Sequence, residues 1–136
     1  MYFPYLRGKQ FELIALRELS DLFPDCKDIC PLVEPVRFST NGLTTAVKKM
    51  MDNNLKFALV LNPIEGDFRR RKMDLMPEIP ELNNDKNKWI PAFLFQNNVS
   101  EIRSFVKQKN LCEVMVIFKD GIDTGNEEED SNTEEN

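Results

Sequence analysis

Short apolar runs alternate along the chain with segments whose apolar residues recur every three or four positions. The apolar runs predict strands over residues 2–6, 29–36, 57–61, 89–95 and 112–118. The helically spaced residues predict amphipathic helices over residues 11–23, 43–51 and 102–106, the last with Ser100 as its N-cap. The order of strand and helix therefore repeats through most of the sequence.

Strands that alternate with helices of this length pair in parallel through right-handed crossovers. The sequence thus predicts an α/β fold with about five parallel strands and connecting helices. Five such strands form either a small open sheet or part of a TIM-like (β/α)8 barrel, which takes ~250 residues when complete. The pattern leaves both architectures open.

Residues 64–88 interrupt the alternation. This segment contains Gly66, Pro77 and Pro80 and a polar stretch, with only a weak helical pattern over residues 68–76. Loops longer than ~15 residues are uncommon in compact domains unless they have a function. We therefore predict a long loop or lid here.

The charge of the chain is unevenly distributed. The net charge is -5, yet all 18 Lys and Arg residues lie at or before Lys119, and eight of the 23 acidic residues follow it. Residues 1–119, the predicted β/α domain, therefore carry 15 acids against 18 bases, about +3. Residues 120–136 have almost no apolar side chains and predict a disordered acidic tail.

Composition excludes several classes of protein. No apolar run approaches the ~18 residues of a membrane span and the start has no signal-peptide pattern, so we expect a soluble cytoplasmic protein without a membrane partner. Cys26, Cys30 and Cys112 predict reduced, buried thiols. With no histidine and no glycine-rich phosphate loop, the chain offers no Ser-His-Asp triad, metal site or cofactor motif.

Parallel β/α folds place their chemistry at the carboxyl ends of the strands. The polar residues at or just after these ends are the candidate ligand-binding residues, and we expect them to cluster at one end of the sheet. They are Arg7, Lys9, Glu34, Arg37, Asn62, Gln96 and Lys119.

Glu34 is the one catalytic candidate among these residues. It lies inside the apolar run of residues 29–36, where a carboxylate must be paired or lose much of its hydration energy. A structural ion pair with Arg7 or Arg37 is one interpretation. A substrate-binding or general-base carboxylate is the other, because functional sites concentrate perturbed carboxylates.

A dense basic run, Arg69, Arg70, Arg71 and Lys72, lies in the predicted long loop. Clustered cations bind phosphates, so a nucleic acid is one candidate partner. Phe68 is the only aromatic residue beside the run, which makes the signal for a single-stranded nucleic acid weak. The alternatives are a solvated loop or a face that binds the acidic tail.

Three segments of the chain resemble a known family. They are YFPYLRGKQFELIALREL at residues 2–19, ICPLVEPV at residues 29–36 and ALVLNP at residues 58–63. They resemble the beta-protein family of phages and bacteria, in particular its bacterial branch with a YFPYLRGKQ start. The resemblance implies a barrel-like β/α fold in a phage, prophage or defence-related setting, and it carries no agreed catalytic residues.

Members of that family are longer, so the resemblance implies a shortened member with an incomplete barrel. An incomplete barrel leaves edge strands and apolar surface uncovered, which favours self-association or a protein partner.

Two functional hypotheses follow. The first is an interaction or assembly module, and the second is a small enzyme or binding domain for a phosphorylated or anionic ligand at the carboxyl ends of the strands.

Overall fold

The fold is built on one curled sheet of five parallel strands. The computed structural model describes residues 1–69, 74–111 and 113–118. The strands lie in the sheet in the order in which they occur along the chain, and each neighbouring pair is parallel. They are β1 (Tyr5–Leu6), β2 (Leu32–Val33), β3 (Phe57–Val60), β4 (Trp89–Leu94) and β5 (Met115–Ile117). The sheet is an open half-barrel, so the predicted α/β fold is confirmed and the barrel-like alternative describes it.

In the described residues, three longer helices connect the strands where the apolar spacing predicts them, and a one-turn helix lies in the predicted long loop. They are α1 (Gln10–Leu22), α2 (Asn41–Asp52), the one-turn α3 (Leu75–Glu78) and α4 (Val99–Gln108). The expectation that Ser100 caps α4 is wrong, because the N-cap is Asn98. The Asn98 side chain accepts a hydrogen bond from the backbone N–H of Gln96 and donates one to the carbonyl of Leu94, which fixes the turn ahead of Ser100.

The first two strands are shorter than the apolar runs that predict them. β1 and β2 each have two residues, with an isolated parallel bridge between Tyr2 and Ile29. Pro31 and Pro35 flank β2, and a proline has no N–H to donate to a neighbouring strand. Backbone hydrogen bonds nevertheless continue beyond the two short strands, because Cys30 donates to the carbonyl of Tyr2 and Glu34 donates to the carbonyl of Leu6.

The predicted long loop contributes to the core. It contains two 3₁₀ turns (Gly66–Arg69 and Pro80–Asn83) on either side of α3. Apolar side chains of the segment are buried, and the indole N–H of Trp89 donates to the carbonyl of Leu82 at 2.9 Å. These buried side chains are Phe68, Leu75, Met76, Ile79 and Leu82. A lid function for residues 64–88 stays a prediction.

The sheet has an apolar layer on each face. On its outer face, side chains such as Phe57 and Trp89 pack against the helices in one large core, with their rings 6.4 Å apart. On its inner face, the second core is made mainly from the strands themselves and includes the small residues Ala58 and Ala92. The strands are therefore buried on both faces, as is usual for parallel sheets.

Several sequence predictions lie outside the described residues. They concern Arg70, Arg71, Lys72, Cys112, Lys119 and residues 120–136. Within residues 1–69, 74–111 and 113–118, no helix combines the length and apolar character needed to cross a membrane.

Candidate functional site

The carboxyl ends of β1, β2 and β3 meet around a buried carboxylate. Glu34 follows β2 and is 0% exposed. It shares strand parity with Cys30 and Leu32, which belong to the inner core, so its side chain points to the inner face of the half-barrel. Tyr5 pairs with Leu32 in register and therefore lies on that face too. Its phenol O–H donates a hydrogen bond to Glu34 Oε1.

The Tyr5–Glu34 pair determines what Glu34 can do in this conformation. A carboxylate buried in an apolar layer is stabilised by a hydrogen-bond donor. Because Glu34 is fully buried and Tyr5 is 38% exposed, a ligand on the inner face meets the phenol before the carboxylate. The arrangement suits Glu34 to orienting Tyr5 rather than to contacting a substrate itself.

Loops above the sheet form a second polar group beside this pair. The guanidinium of Arg7 forms an ion pair with Glu65, and both side chains are partly exposed. The carboxylate of Asp67 accepts a hydrogen bond from the backbone N–H of Phe38 at 2.8 Å. The loop after β3 thereby ties the first three strands together at their carboxyl ends.

Two glycines allow these loops to approach each other closely. Gly66 has φ +62°, and a Cβ there would lie 2.1 Å from the carbonyl oxygen of Val36. Gly8 has φ +66°, and a Cβ there would lie 3.3 Å from the carbonyl oxygen of Glu34. Positive φ and close backbone contact both favour glycine. The geometry of the Arg7–Glu65 region therefore depends on these positions.

Asn62 extends the pairing of β3 with β4 beyond the end of the strand. Its side-chain amide donates to the carbonyl of Leu94 at 3.0 Å, and its side-chain oxygen accepts from the N–H of Leu94 at 2.8 Å. The side chain thus replaces a backbone rung of the sheet. Because its polar atoms already bond to Leu94, Asn62 serves mainly to hold the two strand ends.

Two clefts open near this end of the sheet. The α1/α2 cleft has a volume of about 540 Å³ and is lined by residues that include Gln10, Arg17, Arg37 and Ser39. The β3/α4 cleft has a volume of about 830 Å³ and is lined by residues that include Asn62, Phe68, Arg69, Gln96 and Phe105. Both volumes fall within the ~300–1,000 Å³ typical of small-molecule sites.

The candidate ligand-binding residues therefore divide among separate places. Asn62 and Gln96 share the β3/α4 cleft, whereas Arg37 lines the α1/α2 cleft. Arg7 lies in its ion pair with Glu65, and Lys9 is exposed just before α1. Of the described residues that line the two clefts, none is Glu34. Lys119 lies outside the described residues.

Tyr5, Glu65 and Asp67 contribute to this end of the sheet but were not among the sequence candidates. Tyr5 lies in the short aromatic run that predicts the first strand, and only its pairing with Leu32 places it on the same face as Glu34. Glu65 and Asp67 lie in the segment after Asn62 and Pro63, where the sequence gives no periodic signal. Their positions depend on how that loop folds back on β2.

The electrostatic features of the described residues do not indicate a metal centre. In residues 1–69, 74–111 and 113–118, no group of three Cys, Asp or Glu side chains is placed to hold a metal ion.

Burial raises the pKa of the Cys30 thiol, while Lys56 opposes this shift and Glu113 adds to it. A raised pKa keeps the sulfur protonated at neutral pH and unreactive as a nucleophile.

The two outer strands carry exposed apolar side chains. Beside β1, the residues Tyr2, Phe3 and Tyr5 are exposed, and beside β5 the same holds for Val116 and for its neighbours Val114 and Phe118. Among the described strands, β1 and β5 each pair with one neighbour only. Uncovered edges of this kind are templates for pairing with another chain.

Comparisons with protein-family models, curated proteins and solved structures find no match to this chain.

Proposed function

We propose that this α/β half-barrel is an interaction or assembly module that acts through the two open edges of its sheet, in a phage-related or defence-associated setting. The observation that supports the proposal is the exposure of apolar side chains along both β1 and β5. Exposed apolar surface at sheet edges marks sites of protein interaction. The resemblance of residues 2–19 to the beta-protein family supports the phage-related or defence-associated setting.

The assembly function is tested by placing a charge on each edge. Phe3 and Val116 are 43% and 40% exposed, so Phe3→Glu and Val116→Glu change the surface of the two edges with little effect on the core. The matched control is Val99→Glu, which introduces the same charge at a 49% exposed position on α4. Circular dichroism verifies that each variant is folded.

The wild-type protein and each variant are expressed together with the products of the genes that neighbour its own gene. The mass of each complex is measured by sedimentation. We expect the combined edge variant to sediment as a single chain and the Val99→Glu protein to retain the wild-type mass. A wild-type chain that remains alone, both by itself and with those gene products, contradicts the assembly function. The phage-related or defence-associated setting is tested separately by phage plating on the same cells. A plating efficiency that does not change when the proteins are expressed contradicts this setting.

A second candidate function is favoured by the two clefts at the carboxyl end. Arg37 lines one and Arg69 the other, and in the described part of the chain neither guanidinium lies in an ion pair. An arginine in a cleft of ligand size suits a phosphorylated or anionic compound. The candidate is a small enzyme or binding domain for such a ligand.

Titration calorimetry with pyrophosphate tests this second function. We expect binding that Arg37→Ala or Arg69→Ala weakens at least tenfold, whereas Arg103→Ala, which removes an exposed arginine from α4, leaves binding unchanged. Absence of heat with wild-type protein, or equal binding by all variants, removes the case for an anionic ligand in these clefts.

A further inference from the structure

An exposed stripe of α1 continues the apolar surface of the β1 edge. Phe11, Ala15, Glu18 and Leu22 are all exposed and follow one another at four- and three-residue intervals, so they form one line along the helix. Phe11 is 84% exposed and Leu22 is 72% exposed. These are unusual exposures for large apolar side chains in a stable helix, whose apolar positions normally face the core.

This stripe lies on the side of α1 that faces away from α2. Ser20 and Asp21 face α2, because both accept hydrogen bonds from the side-chain amide of Asn53. Asp21 also accepts a hydrogen bond from Lys49 at 3.2 Å. The Phe11–Leu22 stripe occupies the opposite part of the helix circumference. It also lies opposite the buried residues of α1, Leu13, Leu16 and Ser20, and therefore points away from the core.

The start of β1 lies beside the end of α1 and adds to the same surface. A crossover helix runs antiparallel to the strand it follows, which brings Leu22 and Phe23 back towards the beginning of β1. Tyr2 directs its backbone N–H and carbonyl to β2, bonding to Asp28 and Cys30. The Tyr2 side chain shares strand parity with Leu6, which packs against the outer core, so it lies on the same side of the sheet as α1.

We name this combined surface the β1/α1 face, and it has the composition of a protein interface. It comprises Met1, Tyr2, Phe11, Leu22 and Phe23, whose exposures range from 53% to 84%. At roughly 200 Å² for each large side chain, the exposed area of these residues is about 700 Å². A standard interface buries about 800 Å² on each partner and is enriched in aromatic residues and methionine.

We infer that the β1/α1 face binds the same face of a second copy of this chain, forming a symmetric dimer. This inference rests on the proposed assembly function and names its partner. A twofold axis perpendicular to α1 places two such helices antiparallel, with Phe11 of one copy against Leu22 of the other. The same symmetry places the small side chain of Ala15 opposite Glu18 and puts the two Glu18 residues about 4.5 Å apart along the helix axis.

A twofold dimer fits this face because the α1 stripe has a large apolar side chain at each end. The twofold operation brings the two ends of the stripe together. Phe11 and Leu22 are 11 residues apart, about 16 Å along the helix. Each end of the stripe therefore presents an apolar side chain to the other copy, with Ala15 allowing close approach at the centre. Twofold dimers are the commonest closed assemblies, and about 700 Å² of exposed surface on each copy lies within the range of standard interfaces.

The first test measures the mass of the full chain by sedimentation equilibrium. We expect a wild-type dimer, a dissociation constant at least about tenfold higher for Phe11→Glu and for Leu22→Glu, and a wild-type constant for the matched control Val99→Glu. All three positions are exposed helical residues, so the variants keep the fold, and circular dichroism verifies this.

The second test examines the antiparallel register. Ala15→Glu places a carboxylate opposite Glu18 of the partner copy, so we expect weaker dimerisation. Combining it with Glu18→Lys replaces the repulsion with two symmetric ion pairs, so we expect dimerisation to return towards the wild-type constant. Failure of the second substitution to restore the dimer contradicts this register.

The outcomes separate the inference from the proposed function. Interfaces of this area bind with constants from about μM to pM, so a wild-type chain that stays monomeric at about 100 μM overturns the inference. A dimer that Val116→Glu disrupts and Phe11→Glu leaves intact also overturns it. In that case the β5 edge is the interface and the assembly function stands. A complex only with a different protein on the β1/α1 face likewise overturns self-pairing and leaves the assembly function in place.

Discussion

Replacing Gly66 with alanine is expected to destabilise the carboxyl end of the sheet by about 2–4 kcal/mol. The residue has φ +62°, and a left-handed conformation costs an L-residue roughly 1–2 kcal/mol. The added Cβ would also lie 2.1 Å from the carbonyl oxygen and 2.8 Å from the Cβ of Val36. Ordinary contacts at such an atom begin near 3.4 Å.

The loop must therefore move away from β2 when the methyl group is present. This movement separates the N–H of Asp67 from the carbonyl of Val36, which now form a hydrogen bond of 2.8 Å. Losing that bond costs roughly 0.5–1.5 kcal/mol, which together with the backbone strain gives about 1.5–3.5 kcal/mol. The remainder reflects displacement of the buried side chain of Phe68, which follows in the same turn.

Gly42→Ala is the matched control, because the same substitution there has the opposite expected sign. Gly42 lies in the first turn of α2, and its added Cβ would meet only the flexible end of Leu13 at 3.4 Å. Alanine is favoured over glycine in a helix by up to ~1 kcal/mol. We expect this variant to be unchanged or slightly more stable.

Guanidinium unfolding measures both variants. Trp89 is the only tryptophan and is fully buried, so its fluorescence reports unfolding of the core, with circular dichroism as the second probe. A free energy of unfolding for Gly66→Ala within about 0.5 kcal/mol of wild type would refute the reasoning, because that is the range of neutral surface changes.

Three further substitutions test other contacts of this end of the sheet and its inner face. Tyr5→Phe removes the donor to the buried carboxylate of Glu34, so we expect a loss of about 1–3 kcal/mol by guanidinium unfolding; a change below about 0.5 kcal/mol contradicts that role. Asn62→Ala removes both hydrogen bonds to Leu94, and we expect faster hydrogen exchange of the Leu94 amide; an unchanged exchange rate argues against the bridging role. Burial raises the pKa of Cys30, so the folded thiol stays protonated at pH values where the unfolded thiol, with a pKa of about 8.5, ionises. Stability of the wild type relative to Cys30→Ala should therefore fall as the pH rises through that range, and a difference independent of pH contradicts the assigned burial.

Periodicity predicted the main elements correctly because burial and backbone geometry agree in them. α1 and α2 lie where apolar residues recur at helical spacing, and β3 and β4 lie within the predicted apolar runs. The prediction of Ser100 as N-cap failed because a serine near a helix start satisfies the same composition rule as Asn98. Only the contacts of Asn98 with Gln96 and Leu94 determine where the helix begins.

Residues 64–88 show the limit of periodicity more clearly. The prolines and polar residues of this segment predict a loop, and its buried residues Phe68 and Leu82 belong to short turns with no repeating pattern. Their burial comes from contacts with the sheet and α2, which are distant in sequence. No local rule in the sequence assigns such residues to the core.

The candidate site was predictable in its place and only partly in its members. The place of Glu34 near the end of the apolar run puts it at the carboxyl end of β2, and a carboxylate within such a run requires a polar neighbour. The sequence offered arginines, whereas the structure places the hydroxyl of Tyr5 on Glu34 Oε1 and Arg7 beside Glu65. Partners separated by 29 and 58 residues depend on strand register and loop path, so charge alone did not identify them.

By itself the sequence determined the alternation of strands and helices, the parallel α/β class and the end of the sheet at which polar groups gather, because these follow from local periodicity and chain connectivity. Only the tertiary structure decided that the sheet curls into an open half-barrel and that Glu34 bonds to Tyr5. It also decided that Phe11 and Leu22 lie exposed on α1. The physical reason is that curvature, register and exposure arise from contacts between residues far apart in the chain, and these contacts decide which apolar side chains remain uncovered.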